Sequence, residues 1–463
     1  MITDHPEPAT WLAELAAALQ GGELDVSAAG LEAHGHDESG QHHARPEAVV
    51  FAQTEADIVA VLAFASRHRL PVTPYAVGSS LEGHAVPLHG GISLDVSRMT
   101  RIIEIVPESG YAVVEPGVTY PELNRQARRY GLHFAVDPGA EASLGGMAAT
   151  GASGTAAVRY GTMHDNVLTL RVALMSGEVI DVGSLARKSS AGYDLKNLFV
   201  GSEGTLGVFT RLAVRLHPLP SAVASVQVGF GSVQEATAAS LLVLASGLHP
   251  ERLELVDTES IRAVNRWRGT ALPEGPTLWL ELSGRDVADL DGALKLAREL
   301  LVESGGTLIG EARSEAERAE LWAARHGAFY AIRAMYPGHH GRTTDLCVPI
   351  GRLAEAIAGT LAILERLDLD APLLGHVGDG NFHVYLHADP ADAGRLAALD
   401  TASAEMVTLA LNLGGTCSGE HGVGAGKRGY MRAQHGPALE VMRGVKALFD
   451  PHGLLNPGKI LPD

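Results

Sequence analysis

Along residues 43–220, short apolar runs with strand-like alternation are interleaved with longer runs of helical period. "EAVVFAQ" (47–53) reads as a strand and "EADIVAVLAFASRHRL" (55–70) as an amphipathic helix. "PVTPYAVGSS" (71–80) is a strand running into a loop, followed by short strands in "GISLDVS", "RIIEIVPES" and "YAVVEPG". "YPELNRQARRYGL" (120–132) is a second helix, closed by Gly131 near its C-terminus. The pattern predicts an α+β domain. Two prolines in "VRLHPLPSAV" interrupt it. From 221 the order is strand "ASVQVGF", helix 233–246, strand "RLELVD", helix 258–267, strand "TLWLELSG", helix 286–303. That alternation predicts a second α+β domain built on an antiparallel sheet with flanking helices. The tail from 390 to 463 reads as largely helical. The expected division is a helical segment at 1–42, one domain at 43–220 and another at 221–463.

A length of 463 residues fits two to four units, and 46% hydrophobic with 19% charged residues is the composition of a globular chain. The net charge of −18 speaks against a surface that tracks nucleic-acid phosphates. Cys347 and Cys417 are the only cysteines, so there is no disulfide framework, CxxC pair or iron–sulfur set. The N-terminus lacks the basic region of a signal peptide and the Arg-rich bias of a mitochondrial presequence, and "ATAASLLVLASGLHP" is too short to span a bilayer. A cytoplasmic location is expected, with peripheral membrane contact and a homodimer both compatible with it.

Glycine is abundant, at 54 residues, and gathers in three loops of the first domain. "PYAVGSSLEGH" (74–84) can turn several backbone N–H groups toward one anion without a basic side chain. "VDPGAEASLGGMAATGASGT" (136–155) is built from small residues that allow close approach of backbone to a ligand, and "GSEGTLGVFT" (201–210) runs from glycines into a strand. Three such loops in one domain favour a diphosphate-bearing ligand. A nicotinamide or ATP site is unsupported: the only GxGxxG, "GAGKRG" (424–429), follows no clear strand, and "GVGAGKR" departs from a P-loop at His421 and Arg428.

These three loops, with "RYGTMHDN", "RKSSAGYDLKNLFVGSEGTLGVFT" and the closing "LNPGKIL", resemble the FAD-linked oxidases of the vanillyl-alcohol oxidase family. Within it the chain is similar to the group of D-lactate dehydrogenase (cytochrome) and the glycolate oxidase flavin subunit, from about residue 28 to the end. The resemblance implies an FAD-binding domain of two α+β subdomains, then an FAD-linked oxidase C-terminal domain whose last ~20 residues return to the flavin. It implies that Pro74 and Tyr75 lead into a pyrophosphate wrap of Gly78, Ser79, Ser80, Leu81, Glu82 and Gly83. Pro138, Gly139, Ser143, Gly145, Gly146, Ala149, Gly151, Ser153 and Gly154 would line the flavin. Glu203, Gly204, Gly207 and Val208 would close the site, and Asn456 would return to it. His84 raises covalent flavin attachment, but the family's covalent histidines lie in differently spaced motifs, so non-covalent FAD is expected.

"GHVGDGNFHVYLH" (375–387) reads as a hairpin. A two-residue turn at Asp379-Gly380 would set His376 directly opposite His383 on one sheet face. Taken alone, the pair can be core histidines or half of a metal site. "CSGEHGVG" (417–424) supplies Glu420 and His421, and a carboxylate with two imidazoles is a set suited to Zn, Mn or Fe with positions open to substrate. The family's "GHxGDGNxH" and "GEHG" motifs map the ligands to His376, His383 and Glu420, and an adjacent catalytic histidine to His421.

Oxidation of a 2-hydroxy acid needs a group to take the hydroxyl proton, which suits His421, and a counter-charge for the carboxylate. Arg325 matches the arginine that the family uses for that carboxylate, with Arg333 and Arg342 as competitors. Thr343 stands where the related D-2-hydroxyglutarate dehydrogenases carry a lysine, and Tyr385 departs from the small polar residue found there. The resemblance therefore implies oxidation of D-lactate or a related D-2-hydroxy acid by hydride transfer to the flavin. The alternatives are a glycolate oxidase flavin subunit, a D-2-hydroxyglutarate dehydrogenase-like enzyme and, less favoured, a non-catalytic flavin subunit. Electrons would leave to an external cytochrome, quinone or electron-transfer flavoprotein.

Overall fold

The computed structural model describes residues 8–40, 42–139 and 141–463, which fall into two compact units. The first gathers the chain up to Ser153 with Gly161–Leu219 and Glu420–Asp463; the second takes Gly154–Tyr160 and Pro220–Gly419. The compact units therefore do not follow the linear division at 220: the last 44 residues pack with the first.

In the first unit, strands Ala48–Phe51, Ile92–Asp95 and Val72–Tyr75 pair in parallel, and Glu23–Asp25 adds an antiparallel edge. Helix Glu55–His68 covers this sheet. Its start is fixed by a reciprocal Thr54/Asp57 capping box and its end by Arg69 in the left-handed region (φ 58°). Ile58, Val61, Leu62, Phe64 and Ala65 are its buried face, with Trp11 of helix Pro8–Ala18 packed 6.2 Å from Phe64. Asp57 also accepts the backbone N–H groups of Gln20, Gly21 and Gly22, so the N-terminal segment is tied into this layer. A second sheet, ordered 102–106, 111–114, 208–215, 167–173, 179–183, is antiparallel throughout. The two sheets are the two α+β subdomains that the family resemblance implies.

The C-terminal return has an identifiable cause. Val72 donates to Leu454 O at 2.8 Å and Asn456 N–H to Val72 O at 2.7 Å, a parallel bridge on the open edge of the first sheet. Lys446, half-buried, spans Thr205 O (2.7 Å), Asp450 Oδ2 (2.6 Å) and Leu455 O (2.7 Å).

The second unit is one antiparallel sheet ordered 307–312, 222–229, 277–284, 252–256, 373–376, 381–388, 340–343, with 346–347 also pairing with 381–388. Most residues of 277–284 and 381–388 are buried, so both faces of these central strands are covered. The sequence pattern missed strand Thr307–Ala312, whose residues are mostly exposed or half-buried. Among the described residues, no helix is long and apolar enough to cross a membrane.

Candidate active site

The hairpin carries the two histidines, but not as expected. Its register pairs His376 with Asn381 and Leu374 with His383, so the connection runs over residues 377–380 rather than two residues. The reason lies in the turn. Asp379 N–H closes on His376 O (3.0 Å), Gly378 N–H is drawn to Leu253 O (3.2 Å) on the neighbouring strand, and Gly380 adopts φ 79°. A Cβ at Gly380 would lie 2.2 Å from Val348 O, so only glycine fits. His376 and His383 are diagonal neighbours on the same face rather than directly opposed. Their rings meet edge to face with centroids 5.4 Å apart, and both are buried.

Each ring is held through Nδ1. His376 donates to Glu254 Oε1 at 2.8 Å, and His383 donates to Thr344 O at 3.0 Å with Asp345 Oδ1 3.7 Å away. With Nδ1–H engaged, Nε2 is the ring atom with ligand character. Two rings on one face, each anchored through Nδ1, could hold a divalent metal through Nε2. Glu254 is fully buried and its other oxygen accepts Arg325 Nη2 at 2.5 Å. Arg325, 6% exposed, therefore sits beside the histidines, and its Nε is a buried donor with no partner among the described residues.

Asp345 fixes the loop that leads out of this unit. Its carboxylate accepts Asn381 Nδ2 and Ser418 Oγ, each at 2.9 Å, and its carbonyl accepts Gly419 N–H at 3.3 Å. A Cβ on Gly419 would fall 2.2 Å from Asn381 Nδ2. Of the competitors to Arg325, Arg333 lies over the Phe329 ring and Arg342 pairs with Asp400. Tyr385 is packed between Phe329 and His387, with its hydroxyl over Gly341. Thr343 pairs with Tyr385 across the strands.

In the first unit, Glu420 Oε2 accepts Ser153 Oγ at 3.1 Å. The backbone after His421 is held by Glu203, whose carboxylate accepts Val423 N–H at 2.6 Å and Gly424 N–H at 2.8 Å. His84 Nε2 lies 3.3 Å from the same carboxylate. Burial alone would lower the pKa of His84, but Glu203, with Glu82 and Asp37, outweighs it and the net direction is up. Glu82 turns its carboxylate into the protein, so that only its backbone could face an anionic ligand. It is buried against Lys427 Nζ (2.9 Å), with His421 Nδ1 3.5 Å away. Burial pushes the Glu82 carboxyl up, and Lys427 and His421 together more than offset this, leaving it below its ordinary value.

The glycine loops divide by cause. A Cβ on Gly83, Gly145, Gly204 or Gly207 would strike His42, Pro116, Pro74 or Val172 at 2.5 to 2.9 Å, or 2.3 Å for Val172, so packing within the protein demands them. Gly78 (φ 74°) sits under the Tyr75 hydroxyl, and Ser80 Oγ donates to Asp37 Oδ2 at 2.8 Å. Gly139 faces open space. Ser143 caps helix Leu144–Thr150 by accepting Gly146 N–H, and Gly151 ends the helix at φ 68°. Ala149 O receives Glu203 N–H at 2.7 Å. Val208 packs in the core of the first sheet, and Gly154 belongs to the second unit. Ser79, Leu81 and Pro138 are half-buried loop residues. Asn456 (φ 44°) ties His84 O (3.1 Å) to Glu203 O (2.7 Å). Buried atoms without hydrogen-bond partners among the described residues, Ser202 Oγ, Asn456 Oδ1 and His84 Nδ1, mark a polar environment fit for a flavin nucleotide.

Sequence reasoning missed Glu254, Asp345 and Lys459. Glu254 had a signal: an acid inside the apolar strand "RLELVD" of a covered sheet. Lys459 donates to Val86 O at 2.6 Å, and burial lowers its pKa to about 8.

Comparison with known proteins places the chain in a family. Residues 46–183 match the FAD binding domain model, and residues 219–460 match that of FAD linked oxidases, C-terminal domain. The chain is 42% identical over 442 residues to a probable mitochondrial D-lactate dehydrogenase of Danio rerio, covering 95% of this chain and 89% of that protein. It is 34% identical to the glycolate oxidase subunit GlcD of Escherichia coli K12, covering 91% and 85%. In fold it is similar to 4-ethylphenol oxidase from Gulosibacter chungangensis, with a TM-score of 0.78 at 19% identity, covering 98% of this chain and 97% of that one.

Proposed function

The chain belongs to the FAD-linked oxidases of the vanillyl-alcohol oxidase family, and from that premise we propose that it oxidises D-lactate, or a neighbouring short D-2-hydroxy monocarboxylate, to the 2-oxo acid. FAD supplies the hydride acceptor, and a divalent metal, Zn, Mn or Fe, supplies Lewis acidity toward the substrate hydroxyl. His376, His383 and Glu420 would hold the metal. The observation that carries this reading is the matched pair of Nδ1-anchored histidines on one sheet face.

In this reading His421 takes the hydroxyl proton at Nε2, its Nδ1 being the atom turned toward Glu82. Glu203 holds the backbone that follows His421, which limits the positions that the imidazole can reach. Arg325, fixed by Glu254 and with a buried Nε donor to spare, meets the substrate carboxylate. Tyr385, packed in place, and Thr343 without a lysine's charge favour a short monocarboxylate over a dicarboxylate. The electron acceptor would be external, a cytochrome, quinone or electron-transfer flavoprotein.

Dye-linked turnover of the FAD-loaded protein with D-lactate, L-lactate, glycolate and D-2-hydroxyglutarate tests the reading. The expected result is a preference for D-lactate and loss of activity on chelation. His421→Ala should lower kcat by ~10²–10⁴-fold. Full activity after chelation, or in His376→Ala, would contradict the metal's part in it.

A further inference from the structure

Glu254 stands at a junction: one oxygen accepts His376 Nδ1–H at 2.8 Å, and the other accepts Arg325 Nη2 at 2.5 Å. Its strand neighbours fix this arrangement. Leu255 pairs with Gly375 and Val256 with Leu374, so Glu254 lies next to His376 across the sheet and projects to the same face. On its other side Glu254 pairs with Trp279, which is buried and donates Nε1–H to Leu321 O at 3.1 Å. Leu321 lies one turn before Arg325 on the same helix, Glu315–His326. Glu254 and its side-chain neighbours are therefore held by two strands and a helix.

A fully buried carboxylate needs a counter-charge. Arg325 provides it at one oxygen, and His376 donates Nδ1–H to the other. We propose that Glu254 is a positioning residue that sets the metal-binding tautomer of His376 and the orientation of Arg325 together, thereby coupling metal site and substrate-carboxylate site. This rests on the metal reading above. A single carboxylate bridging the two explains why a strand of apolar pattern carries an acid at this position.

The test uses the FAD-loaded full chain, stripped of metal and titrated with Zn²⁺ against a chromophoric chelator. Glu254→Gln should weaken Zn²⁺ binding and also raise KM for D-lactate, since Arg325 loses its fixed partner. Because that variant leaves a buried arginine unpaired and can unfold, two double variants remove both charges. Glu254→Gln with Arg325→Met keeps an acceptor for His376 Nδ1–H, whereas Glu254→Leu with Arg325→Met does not. The Leu form should bind Zn²⁺ ~10–100-fold more weakly than the wild type, and the Gln form should recover most of that loss. Equal Zn²⁺ affinity in the Leu and Gln forms would overturn the positioning role while leaving the metal reading intact. Wild-type protein whose Zn²⁺ binding is unchanged by His376→Ala would overturn both.

Discussion

Replacing Glu203 by alanine isolates what holds the segment after His421. The carboxylate is buried and accepts Val423 N–H at 2.6 Å and Gly424 N–H at 2.8 Å. Alanine leaves both donors without it, at roughly 1–3 kcal/mol for each unsatisfied group, or about 2–6 kcal/mol together. Glutamine keeps one carbonyl oxygen and should forfeit about half of this. Glu203 also sits at φ 53°, so Glu203→Gly should recover about 1 kcal/mol relative to alanine by relieving left-handed strain. Urea unfolding of the FAD-loaded protein, followed by flavin fluorescence, reads the stability order wild type, Gln, Gly, Ala or wild type, Gly and Gln together, Ala; in either case alanine is last. Turnover should fall through kcat more than through KM, because the His421 segment loosens while Arg325 is untouched. An alanine variant within about 0.5 kcal/mol of wild type would refute the reasoning, since that is the range of an uninvolved surface change.

Gly380→Ala should destabilise the hairpin by about 1–3 kcal/mol, because its Cβ meets Val348 O at a φ of 79°; thermal melting of the FAD-loaded protein checks it. Acid should destabilise the fold through His217 and His387. Burial lowers each to about 4 from 6.5, so the stability that they contribute is full above pH 6.5 and lost as pH falls through about 4. A Tm that stays flat between pH 7 and 4 in a His217→Gln, His387→Gln double variant, beside a falling wild type, is the expected comparison.

Much of the fold was legible because strand and helix periods were strong. Helices 55–68 and 233–245 and strands 252–256 and 277–284 begin and end within about two residues of the pattern. The hairpin register was not legible: the turn depends on Leu253 O capturing Gly378 N–H from another strand, a contact 125 residues away. The partner of the Glu82 carboxylate was not legible either: it is Lys427, far along the chain. The candidate histidines and carboxylate could be read from "GHVGDGNFH" and "GEHG", but their supports, Glu254, Asp345 and Glu203, act through long-range hydrogen bonds that no local spacing encodes. The glycine loops showed the converse. Gly145, Gly204 and Gly207 are needed for packing, so their small size alone says little about a ligand.

The most direct test of the account is anaerobic reduction of the bound flavin, followed by its absorbance after mixing with D-lactate or L-lactate. Rapid bleaching with D-lactate, slowed at least ~100-fold in His421→Ala and absent with L-lactate, is the predicted result. Equal bleaching by both enantiomers, or reduction by D-lactate that is indifferent to His421, would contradict it.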